Sequence, residues 1–226
     1  MKKLTTAVLV ILFTINFTSC SDNESITEAP QGDLLKSFTL KRDASGSYSL
    51  DYEIANNTNA ISVKNEENKT NEIYLSNSEE ITQRAYTQDF VLDNNSLKIG
   101  FVNANTDNRA NIFVEDENIT FSKDEEFLNT YSVKGNDDGT YQLDFVVNDG
   151  VKTEFVYNDE TQTYEVHLSE GNANDNDFSS SLEKDANGVL KIDFVNHKNN
   201  NQNRSTVAKT GTTIRRPRVV VSLNGE

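Results

Sequence analysis

Two histidines, one cysteine and no tryptophan are the specialised side chains available for chemistry in these 226 residues. His167 lies in TYEVHLS, on the polar side of an alternating stretch, and His197 directly follows LKIDFVN. Neither has a Cys, a His or a carboxylate at metal-ligand spacing, so both read as surface histidines. Joint ligation of zinc or haem would require the segment after LKIDFVN to fold back onto TYEVHLS. Nucleophile chemistry has no better footing, because there is no Gly-x-Ser-x-Gly elbow and no glycine-rich phosphate loop. With 36 acidic residues, paired carboxylates stay open as a route to hydrolysis. Asp51 and Asp144 are the acids of interest, each flanked by core positions. The plainer reading of both is an outward strand Asp that solvates its face or pairs with a Lys on the next strand.

Binding chemistry has more candidates. Arg215-Arg216-Pro217-Arg218 is a basic cluster in a chain of net charge −15. It suits an acidic partner or a sulfated glycan, and it equally suits aggregation control beside the apolar run Val219 to Leu223. Without Trp, a sugar-stacking platform would rest on Tyr. Tyr74, Tyr86 and Tyr157 read as exposed, whereas Tyr48, Tyr52, Tyr131, Tyr141 and Tyr164 read as core. The candidate binding residues are therefore Arg215, Arg216, Arg218, Tyr74 and His167, with no catalytic and no metal residue assigned. Asn136-Asp137-Asp138-Gly139, Asn174 to Asp177 and Asn103-x-Asn105-x-Asp107 offer oxygen ligands for structural calcium. None has the acidic series ending in a bidentate Glu that marks an EF-hand loop, and turn formation explains them equally. The acidity argues against nucleic acid, which binds through Lys and Arg that displace counterions.

The elements that would position these residues come in two sets. SGSYSLDYEI (45–54) matches DGTYQLDFVV (138–147), with Gly46, Tyr48, Leu50 and Asp51 recurring 93 positions later. The same shift aligns TNEIYLS with TYEVHLS and LKIGFVN with LKIDFVN. From Phe38/Tyr131 to Asn103/Asn196, about 19 of 66 positions are identical without a gap. The sequence thus predicts two tandem copies of a unit of about 90 residues, near 34–126 and 127–226, diverging after Asn103. Specialised surface is expected in the later loops, 104–110 and 197–210.

Within each copy, Tyr48, Leu50, Tyr52 and Ile54 alternate with Ser49, Asp51 and Glu53, the period of a half-buried strand. Leu97, Ile99 and Phe101 repeat the pattern, and Asp43 to Gly46 and Asn148-Asp149-Gly150 are turn chemistry. The expectation is all-β, eight short strands per copy, near 36–41, 47–54, 60–64, 71–76, 89–92, 96–103, 110–114 and 118–122. The corresponding set in the second copy ends at 218–223. The strands are expected as an antiparallel meander or sandwich, the two units joining into one extended sheet or a flattened barrel. Ser78 to Gln88 is the one stretch with helical potential, and its counterpart GNANDNDFSSS reads as a loop. Strands of 5–8 residues without an aromatic girdle exclude a transmembrane barrel.

The lone cysteine ends an N-terminal apolar run, MKKLTTAVLVILFTINFTSCSDNES. Lys2 and Lys3 form a positive start, and Leu4 to Phe17 is too short for a span of about 20 residues. Phe17-Thr18-Ser19-Cys20 resembles the lipobox of bacterial lipoproteins, and Ser21-Asp22-Asn23-Glu24 is similar to the export signal of Bacteroidetes-type surface lipoproteins. The resemblance implies a signal peptide at 1–19, a lipid on Cys20 as the one covalent group, and a tether at 20–33. It further implies anchoring in the outer membrane, facing the cell surface or alternatively the periplasm. The expected function is a non-catalytic binding or accessory module with a protein or glycan partner. A structural envelope-spacing lipoprotein and a carboxylate-dependent hydrolase are the alternatives.

Overall fold

The computed structural model describes residues 34–79, 83–116, 127–172, 175–198 and 212–223. Residues 1–33, which hold the expected signal segment, Cys20 and the expected tether, lie outside them. The protein is all-β, with no helix among the described residues. The first half contains β1 (Leu35–Arg42), β2 (Tyr48–Ile54), β3 (Thr58–Asn65), β4 (Thr70–Asn77), β5 (Ala85–Phe90), β6 (Ser96–Asn103) and β7 (Arg109–Glu115). The second contains β8 (Leu128–Gly135), β9 (Tyr141–Val147), β10 (Val151–Asn158), β11 (Thr163–Glu170), β12 (Asp177–Leu182), β13 (Val189–Lys198) and β14 (Thr212–Leu223).

These strands form two sheets, one of six in the order β12-β9-β8-β1-β2-β5 and one of eight in the order β10-β11-β13-β14-β7-β6-β4-β3. In each half the first, second and fifth strands enter the smaller sheet and the remaining four the larger. The two halves meet twice, through the antiparallel pairs β1–β8 and β7–β14. One core thus runs through both halves. The larger sheet extends one strand further at each end, leaving β10 and β3 as its edges.

Alternation explains the layers. In β2, Tyr48, Leu50, Tyr52 and Ile54 are buried and face the other sheet, while Glu53 is exposed. Each fully buried Leu or Phe contributes about 1.5–3 kcal/mol. The aromatic core is built the same way in each half. Tyr52 stacks on Tyr86 at 5.0 Å and meets Phe101 edge-on at 5.4 Å, and Phe145 stacks on Phe178 at 5.0 Å and meets Phe194 edge-on at 5.8 Å. Such contacts add about 0.5–1.5 kcal/mol beyond area burial.

Four expectations need correction. The arrangement is not an all-antiparallel meander, since β4–β6 and β11–β13 pair in parallel. The cause is that β5 and β12 cross to the smaller sheet, so the chain returns to the larger one after two reversals. The stretch with helical potential instead ends in β5, where Tyr86, Gln88 and Phe90 alternate inward and Phe90 pairs with Tyr48. Its equivalent, read as loop, supplies β12, with Phe178 in the aromatic core. The fifth strand therefore ends at Phe90 rather than spanning 89–92, and Val91 is left 91% exposed. The strand expected at 118–122 lies outside the described residues. Pro217 sits inside central β14, where the β13–β14 register shifts between Asp193 and Val195, a position that spares a proline from ladder bonding.

Candidate functional site

On the larger sheet, one set of alternate residues builds the core and the other forms an outer polar face. On β11 that face carries Thr163, Glu165, His167 and Ser169, on β13 Asp193, and on β14 Arg218. Parallel pairing of β11 with β13 sets Glu165 beside Asp193 and Ser169 beside His197. Antiparallel β14 then brings Arg218 between Asp193 and Glu115 of β7. The face therefore gathers residues far apart in sequence.

Its acids are deeply placed, with Glu72, Glu165 and Asp193 all at most 5% exposed. A buried carboxylate is tolerated only when donors surround it. Arg218 provides a bidentate clamp on Asp193, Nε to Oδ1 at 2.7 Å and Nη2 to Oδ2 at 2.8 Å, which holds the guanidinium above its ordinary pKa. Arg216 donates to Glu115. Two of the three arginines of the basic cluster thus bind carboxylates within the sheet. Arg215 pairs through its backbone with Val195, and its side chain lies outside the described residues.

Glu165 anchors the histidines. His167 Nε2 lies 2.8 Å from Glu165 Oε2, His167 Nδ1 lies 2.7 Å from His197 Nε2, and the two rings stack at 5.0 Å. Asn158 Nδ2 donates to the other Glu165 oxygen at 3.1 Å. With both imidazoles neutral, the satisfied pattern has His167 donating from Nε2 and accepting at Nδ1 from His197 Nε2. The fold-back that joint use of the histidines required is supplied by the parallel β11–β13 pair. Among the described residues, no group of three or more His, Cys, Asp or Glu is arranged to hold a metal ion.

Tyr74 occupies the corresponding place in the first half. Its hydroxyl donates to Glu72 Oε2 at 2.6 Å, and Arg109 Nη1 donates to Glu72 Oε1 at 3.1 Å. The Tyr74 hydrogen bond holds the Glu72 carboxyl below its ordinary pKa against the opposing effect of burial, with Arg109 assisting. The same bond raises the Tyr74 phenol. Sequence reasoning missed Glu72, Glu165, Asp193 and Arg109. The available signal was Glu-x-Tyr and Glu-x-His, two residues apart on one strand face.

The outer face of the smaller sheet is different. It carries two grooves of about 630 and 570 Å³. Thr130, Ser132 and Asp144 line the first, and Ser37, Thr39 and Asp51, each 93 positions earlier, line the second. Asp51 accepts from Lys41 on β1 and from Thr87 at 2.7 Å on β5, so its carboxyl is held low chiefly by the Lys41 contact. Asp144 is held by Gln142 Nε2 at 2.8 Å. These two acids match the plainer reading of outward strand Asp residues with polar neighbours. Two of the three oxygen-rich turns are likewise engaged locally, and Asn174 of the third lies outside the described residues. Asp138 Oδ1 accepts from the Thr140 amide and hydroxyl, and Asn103 Oδ1 from the Asn105 amide.

No protein-family model, curated protein or solved structure matches the chain.

Proposed function

We propose that the protein is a non-catalytic binding lipoprotein of the outer membrane, lipidated on Cys20, whose β1–β7 and β8–β14 are tandem copies of one unit. The observation that carries the reading is the pair of grooves lined by residues 93 positions apart. Their volumes fall in the range of small-ligand sites, about 300–1,000 Å³. Hydroxyls, carboxylates and lysines line them, which suits hydrogen bonding to a glycan or to polar groups of a protein. Two equivalent grooves on one face allow bivalent capture, where linkage raises avidity without new contacts. Strand pairing supports the tandem reading. Ile99 pairs with Ile112 as Ile192 pairs with Val219, which places the extra length of the second copy in the β13–β14 connection.

Ser132→Arg fills one groove and Thr39→Arg the other. Screening the full-length protein against a glycan array and an outer-membrane extract should give partial loss for each single variant and abolition for the double. Ligand capture that survives the double substitution overturns the groove reading. Palmitate labelling that persists in Cys20→Ser overturns the anchor, and full protection from protease on intact cells places the protein on the periplasmic side.

A further inference from the structure

Among the described residues, no strand pairs with the outer edges of β10 and β3, the two ends of the larger sheet. An open edge is a row of unpaired amides and carbonyls, and natural sheets blunt it with charge, bulges or cover. β10 is not blunted toward its end: Phe155, Val156 and Tyr157 are 39%, 38% and 42% exposed. Phe155 and Tyr157 both pack against Tyr164, at 5.8 and 4.7 Å, on the overhang beyond β12. Earlier in the strand, Lys152 and Glu154 share the outer face, opposite Ser169 and His167. Neither forms an ion pair among the described residues. Thr153 lies between them, and its buried Oγ1 has no hydrogen-bond partner.

We propose that β10 pairs antiparallel with β10 of a second copy about a two-fold axis through Thr153, joining two larger sheets into one. Such an interface is isologous, and the strand is self-complementary in this register. Lys152 of one copy faces Glu154 of the other, and the axis repeats that pair in reverse. Thr153 meets its own counterpart, a cross-strand hydroxyl pair that gives the orphaned Oγ1 a partner. Phe155 is set against Val151 of the second copy, which covers the exposed ring. The β3 edge lacks this symmetry. Ile61 and Val63 are exposed there, but Lys64 is the strand's one charge and is 4.0 Å from Glu66 of the following turn.

The test is a charge swap in the full-length protein in non-ionic detergent, with mass read by light scattering over a concentration series. Wild type should be a dimer that dissociates on dilution. Lys152→Glu and Glu154→Lys should each weaken dimerisation at least about tenfold, since each places two like-charge pairs across the axis. The double variant Lys152→Glu/Glu154→Lys restores opposite charges and should dimerise like wild type. In a Cys20→Ser background, Thr153→Cys should form an intermolecular disulfide on mild oxidation, while Ser62→Cys on the β3 edge should not. Circular dichroism confirms that each variant is folded. A monomer at every concentration, or a double variant that stays as weak as the singles, overturns the proposal.

Discussion

The two halves use one set of strand positions for different chemistry, and the difference is sharpest where they meet. On the β1–β8 pair, Leu40 faces Val133, with Arg42 opposite Tyr131 on one side and Phe38 opposite Gly135 on the other. At the first end Arg42 is buried and donates from Nε to Asp116 at 2.8 Å, and Asp116 also accepts from the Tyr48 hydroxyl at 2.7 Å. Tyr131 extends the network by donating to the Tyr48 oxygen at 3.2 Å. Burial drives both phenols far above their ordinary pKa. At the second end the arginine position is Gly135, and the ring of Phe38 fills the space. One end is locked by charge and the other by shape. The two halves are thus tied together by charge at one end of the pair and close-packed at the other.

The largest effect should come from breaking the charged end. Asp116→Ala removes the carboxylate from a buried guanidinium and from the Tyr48 hydroxyl, and should cost about 3–5 kcal/mol by chemical denaturation. Gly135→Ala attacks the packed end. A Cβ there would stand 2.5 Å from Phe38 Cε1, and overpacking of this kind costs about 1–3 kcal/mol. If the two losses were equal, the contrast between charge and shape would have no energetic meaning.

A subtler comparison lies on the outer polar face, Tyr74 on Glu72 against His167 on Glu165. Glu72 has its folded pKa depressed below the ordinary 4.5, so it contributes stability above that value and loses it as pH falls through the folded pKa. Tyr74→Phe removes the largest cause. The variant should be less stable than wild type near neutrality and converge with it in acid, as read from urea midpoints at several pH values. The smallest effect is spectroscopic. With both rings neutral, nitrogen-15 correlation spectra should show the proton of His167 on Nε2 and that of His197 on Nε2. Glu165→Gln should disturb the first assignment before the second.

Much of the fold was legible because alternation is a local property. Tyr48 to Ile54 and Leu97 to Phe101 announce their strands through their own side chains. β5 and β12 are obscure because their inward positions are Tyr86, Gln88 and Phe90, and Phe178, Ser180 and Leu182, each apolar set interrupted by a polar residue. The crossing between sheets was hidden for a different reason. Nothing inside TNEIYLS or LKIGFVN states which neighbour each strand chooses, and parallel pairing depends on where the intervening strand goes. That choice hid the His167–His197 contact, since the residues are 30 apart in sequence and adjacent only through β11 and β13. The arginine cluster was visible at once, but the acids opposite it, Glu115 and Asp193, become partners only when β14 enters the sheet.

That entry has a consequence in time. β14 is the last described strand in chain order, yet it lies in the interior of the larger sheet, between β13 and β7. β7 ends at Glu115 and β14 begins at Thr212, so a chain that emerges N-terminus first, from a ribosome or an export channel, leaves β7 waiting for the strand that completes it. Until then β7 and β13 are both open edges, and β1–β8 alone joins the halves. The larger sheet is a clasp that the chain fastens with its final described strand, so it cannot close until that strand has been delivered.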